Sequence, residues 1–153
     1  RTPFVRACVV ISYKGPTARS LWALNIYTNN SYAKTVDMRK TDKKRERELT
    51  LALTRVCNTA LETFVGFAWI THFVNYQDFP RSLIIVSVFE TDEQLRAACA
   101  YHHDQTLSGW VRDELAAIGI SIGANSQQIR CDSEESCERD NQGNWQRRYR
   151  QTR

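Results

Sequence analysis

The sequence predicts an α+β fold, a mostly antiparallel sheet with two main helices, and three observations carry that prediction. Short runs rich in β-branched and aromatic residues are bounded by turn residues. Two longer stretches repeat their apolar residues at helical spacing. The two kinds of segment follow one another as ββ(β)αββα, with a short strand and helix at the C-terminal end.

The first strand is expected over Phe4–Tyr13 and the second over Leu21–Thr28, with Lys14-Gly15-Pro16-Thr17 between them as a hairpin turn. A short third strand fits Ala33–Met38. A helix follows from about Thr41 to Phe64, where Leu49, Leu53, Val56, Cys57, Ala60, Leu61 and Phe64 recur at helical intervals. The plan then repeats. Strands are expected at Phe67–Asn75 and Leu83–Glu90, and Pro80, which cannot donate to a ladder, belongs in the connection between them. Leu83 to Phe89 is nearly all apolar, as a central strand covered on both sides should be.

Thr91 and Gln94 form a capping-box pattern that starts the next helix. Its apolar stripe holds Leu95, Cys99, Trp110, Val111, Leu115 and Ile118, and Gly109 is the expected kink or break. A strand at Gln127–Cys131 and a short helix begun by Asp132 or Ser133 complete the set, with both main helices expected on one face of the sheet. Residues 1–138 thus read as a single α+β domain and 139–153 as a basic, aromatic-containing tail.

A chain of 153 residues is long enough to bury a core without staples. No apolar run approaches the roughly 20 residues of a membrane-spanning helix, and the first residues lack the apolar stretch of a signal peptide. A cytoplasmic, membrane-free protein is expected, with Arg1 in place of an initiator Met leaving a leader open. Five cysteines without a C-x-x-C pair argue against a disulfide framework and a zinc knuckle, so a reducing compartment is expected. Cys8, Cys57 and Cys99 read as core residues, while Cys131 and Cys137 are near enough in sequence to oxidise together if geometry allows.

Charge is divided into blocks. Residues 1–63 carry a net +7, residues 64–138 a net −7 and residues 139–153 a net +4. A polarised surface follows if the blocks stay apart in space, with one face suited to a polyanion. The densest run is Arg39 to Arg47, with six basic residues (Arg39, Lys40, Lys43, Lys44, Arg45, Arg47) and two acidic ones. Cations in a first helical turn oppose the macrodipole, at about 0.3–1 kcal/mol each, so helix stability does not account for them. Phosphate contact would; so would a solvated helix end whose charge Glu46 and Glu48 soften.

The tail interleaves Trp145 and Tyr149 with Arg147, Arg148, Arg150 and Arg153. Arginine pairs with phosphate and aromatic rings stack on exposed bases, so the composition suits RNA or single-stranded DNA. Trp145 and Tyr149 are also four apart, the spacing for docking one helical face on the domain.

The expectation is therefore a non-catalytic domain that binds the phosphate backbone of DNA or RNA through the basic helix start and the tail, without cofactor or metal. Arg39, Lys40, Lys43, Lys44, Arg45, Arg47, Arg147, Arg148 and Arg150 are the expected contacts, with Trp145 and Tyr149 as stackers. The alternative is a protein-interaction or self-assembling domain that sets a basic face against an acidic protein surface, including that of a second copy; Trp110 is its interface candidate. A second alternative is a metal-assisted nuclease using His72, Asp78 and one of His102 or His103. No phosphate loop, nucleophile elbow or Cys/His array is present in the sequence.

Overall fold

A computed structural model of the chain describes residues 6–10 and 39–150, with side chains from 39 to 149. In chain order the elements are β1 (Arg6–Val10), α1 (Lys40–Thr63), β2 (Phe67–Val74), a 3₁₀ turn (Tyr76–Asp78), β3 (Ile84–Phe89), α2 (Asp92–Ala100), α3 (His103–Ala117), β4 (Ile129–Ser133), α4 (Glu134–Asn141) and α5 (Trp145–Arg150). The expected strands at 21–28 and 33–38, and Trp22 with them, lie outside the described residues.

The four strands form one sheet in the order β1-β2-β3-β4. β1 and β2 are antiparallel, with Cys8 opposite His72, and β2 and β3 are antiparallel, with His72 opposite Ile85. β4 runs parallel to β3, and the α2–α3 segment supplies the long crossover that a parallel pair requires. The fold is α+β, and among the described residues two of the three strand pairs are antiparallel.

The alternation of β3 divides the core into two layers. Ile85 and Phe89 join the cluster formed with Leu49, Leu53, Val56 and Ala60 of α1 and Leu107, Val111 and Leu115 of α3. Val86 and Val88 point the other way, into a second cluster with Trp69, Phe73, Cys137 and Trp145. The main helices therefore share one face as expected, but the other face is covered too, by α4 and α5. The expected boundary at 138/139 falls inside α4.

The second main helix is broken, though not at Gly109. That glycine sits inside α3 with open space around it, and a helix tolerates a lone glycine at a cost of only about 1 kcal/mol. The break comes at Tyr101–His102, where His102 takes a left-handed conformation and its N–H bonds the carbonyl of Cys99. Upstream, the capping box forms as the sequence predicts. Thr91 Oγ1 accepts from the Gln94 amide at 3.2 Å while Gln94 Oε1 accepts from the Thr91 amide at 3.1 Å.

Of the cysteines expected in the core, Cys57 is buried, Cys99 is exposed because α2 turns Ala98 inward instead, and the side chain of Cys8 lies outside the described residues. Cys131 packs with the α1/α3 cluster and Cys137 belongs to the opposite one, so the sheet separates them and they do not pair. Burial pushes both thiols up to about 12, which removes thiolate reactivity near neutral pH.

Candidate nucleic-acid interface

The start of α1 turns one of its acids inward and leaves its cations in solvent. Leu49, Leu53, Val56 and Ala60 form the buried stripe of the helix, and Glu46, three residues before Leu49, continues that stripe toward the N-terminus. Its side chain is consequently buried, at 8 % exposure. Glu46 Oε2 accepts a short hydrogen bond from the Tyr76 hydroxyl and lies 3.3 Å from Nε2 of the fully buried His72. The basic residues of the run, Arg39, Lys40, Lys43, Lys44, Arg45 and Arg47, are all exposed. Glu46 therefore does not soften the surface charge as the sequence suggested; it pins the helix to β2 and the 3₁₀ turn.

What neutralises these cations is local and partial. Arg45 lies 3.5 Å from Asp42 and Lys44 lies 3.9 Å from Glu48, both within the helix. Exposed pairs of this kind contribute about 0.3–0.5 kcal/mol. Arg39, Lys40, Lys43 and Arg47 have no ion pair among the described residues. The helix opens without a side-chain cap, so its first amides add positive potential at the same end. Farther along, Arg55 pairs with Glu114 at 2.7 Å and ties α1 to α3.

The β2–β3 connection lies against this face. Arg45 sets its guanidinium 5.0 Å from the centroid of the Phe79 ring, and Phe79 stacks with Tyr76 at 5.9 Å and 28°. Arg81, on the same connection, pairs with Asp78 at 2.6 Å and keeps a side chain that is 86 % exposed. Sequence reasoning passed over Tyr76, Phe79 and Arg81, because nothing local shows that the turn meets α1. The inward turn of Glu46, by contrast, was readable from its interval to Leu49 and Leu53.

The tail is used differently. Trp145 is 5 % exposed and meets Trp69 edge-on at 4.9 Å, and Tyr149 stacks on Phe73 at 5.0 Å. The Tyr149 hydroxyl donates to Asp132 Oδ2 at 2.7 Å, and burial beside that carboxylate pushes the phenol well above its ordinary range. Arg148 grips both oxygens of Asp132, Nε to Oδ2 at 2.6 Å and Nη2 to Oδ1 at 3.0 Å, and reaches Asn141 and Asp140 as well. Those bonds raise its own pKa further. Docking, one of the two arrangements the spacing allowed, is the one observed. It corrects the stacking role expected of Trp145 and Tyr149, whose rings pack within the fold, and the phosphate role of Arg148, which a buried carboxylate occupies. Arg147 stays exposed, and the side chain of Arg150 lies outside the described residues.

Among the described residues, the cations of 39–47 form no ion pair with the acidic middle block, whereas Arg55 farther along α1 and the tail both do. Arg139 bonds Asp92 at 2.7 Å, where Ser133 Oγ and Ser136 Oγ also donate. These hydrogen bonds, Ser133 foremost, hold the Asp92 carboxyl far below the usual carboxylate range. Acids of the middle block are thus interleaved with the cations of the tail.

The residues of the nuclease reading are not assembled. His72 faces Glu46 under α1, Asp78 is paired on the surface, His102 is exposed at the α2–α3 junction, and His103 stacks between Phe64 and Tyr101. Among the described residues no group of three His, Cys, Asp or Glu side chains is placed to hold a metal ion. Trp110, the candidate for a protein interface, is partly buried and stacked on Phe64 at 5.2 Å. The chain matches no protein-family model, no curated protein and no solved structure.

Proposed function

We propose that the chain binds the phosphate backbone of a nucleic acid through the exposed start of α1, with Arg39, Lys40, Lys43, Lys44 and Arg47 as contacts and Arg45 at their edge. One observation carries the reading: six cations share an exposed helix start where one of the two acids set among them, Glu46, is buried, and four of the six have no ion pair among the described residues. Such a surface keeps its charge unspent, at a cost to the helix that contact with phosphates would offset. The tail enters this reading as part of the fold: Arg139 is exposed but paired with Asp92 and Asp140, and Arg147 is its exposed cation without an ion pair among the described residues.

The test is anisotropy of labelled single-stranded and duplex probes across a salt series, with the full chain and with Lys40, Lys43 and Lys44 changed together to Glu. Wild-type affinity should fall steeply with salt. The variant should lose most of it, and the log–log slope should shrink by roughly 2 on single strands, about 0.7 per phosphate contact. No binding at low salt would overturn the reading and leave an acidic protein surface as the better partner for the same face.

A further inference from the structure

Two contacts at successive residues fasten the β2–β3 connection to the basic helix start: Arg45 over Phe79, and Glu46 accepting from Tyr76. They bring a stacked aromatic pair to the rim of the cationic face, where both rings remain partly exposed. Of the rings expected to stack on bases, Trp145 belongs to the core, and Tyr149, partly buried as Phe79 is, is held by Phe73 and Asp132. We infer that Phe79 is the stacking position of this face and that the ligand class is single-stranded nucleic acid, an inference that rests on the phosphate-binding reading above.

The chemistry is that of a π-face already occupied by a planar cation. The Arg45 guanidinium lies over the ring, and its side chain is 46 % exposed, so it is held from the solvent side. An unpaired base is planar and stacks on such a face, and Arg45, once displaced from it, is long enough to reach the adjoining phosphate. Duplex bases hide their faces in their own stack and gain nothing from the ring. Arg81, projecting from the same connection, is paired with Asp78, so the cations that would hold the strand are those of the helix start.

The experiment compares a labelled single strand with its duplex on the full chain, on Phe79→Leu and on Phe79→Tyr. Leu keeps apolar bulk and removes the π-face; Tyr keeps both. Phe79→Leu should weaken single-strand binding about tenfold, within what one stacked base contributes, and leave duplex binding within about twofold. Phe79→Tyr should bind as wild type does, and thermal unfolding of all three confirms that the fold is intact. Equal losses on both probes, no loss on either, or a wild type that prefers duplex would overturn the inference while leaving phosphate binding in place. A wild type that binds neither probe would remove the underlying reading as well.

Discussion

The two basic regions are alike in composition and opposite in use. The start of α1 keeps its cations in solvent, with one of its two acids on the buried stripe of the helix and the other, Asp42, paired only with Arg45 among the described residues. The tail gives up Arg148 and Arg139 to acids that the sheet and α2 bring alongside, Asp132 and Asp92. A block of like charge in a sequence therefore becomes a charged surface only where the folded neighbours are neutral. One region leaves most of its cations without an ion pair among the described residues, and the other fastens the chain to itself.

If the tail belongs to the fold, the sharpest break in the comparison is Trp145→Ala. Truncating an aromatic side chain at a fully packed site costs about 3–5 kcal/mol, a large part of the stability of a domain this size. Denaturant unfolding should show that loss, while the start of α1, on the other side of the sheet, should retain its binding wherever the variant is folded. An unchanged midpoint would mean that α5 is an appendage. A finer contrast lies between neighbours. Arg148→Ala strips Asp132 of its bidentate partner but leaves the Tyr149 hydroxyl and the Ser133 amide, so about 1–3 kcal/mol should be lost. Arg147→Ala, next in the chain and exposed, should stay within about 0.5 kcal/mol. Equal effects would mean that the two arginines are not distinguished by Asp132.

What the sequence made legible follows the range of the interactions concerned. The capping box at Thr91 and Gln94 is local, and it forms as read. The helix over 40–63 and the strands β2 and β3 fall within a residue of their expected bounds, because each carries its own periodicity or apolar run. The break at Tyr101–His102 was hidden because no Gly or Pro marks it, while Gly109 marks a position that the helix simply tolerates. The site divides along the same line. Which cations would be exposed could be read from helical intervals, whereas the neutralisation of Arg148 and the approach of Phe79 to Arg45 depend on pairings across 16 and 34 positions that no local pattern encodes.

A further expected effect concerns acid. Asp92 joins the first turn of α2 to α4 through Ser133, Ser136 and Arg139, and its folded carboxyl titrates well below its unfolded value of about 4. A depressed carboxylate contributes stability above its unfolded pKa and loses it as pH falls toward the folded one. Stability should therefore decline as the medium is taken below about pH 4, and Asp92→Asn should flatten that part of the curve by lowering the neutral-pH value toward the acid one. Amide exchange read residue by residue makes this a comparison of regions: protection at the start of α4 should fall with acid in the wild type and respond less in the variant. The first turns of α1, which make no contact with Asp92 among the described residues, should not distinguish the two proteins. If exchange at α1 followed Asp92 as closely as exchange at α4, the two basic regions would be one cooperative unit, and the division of labour between them would have to be found in charge alone.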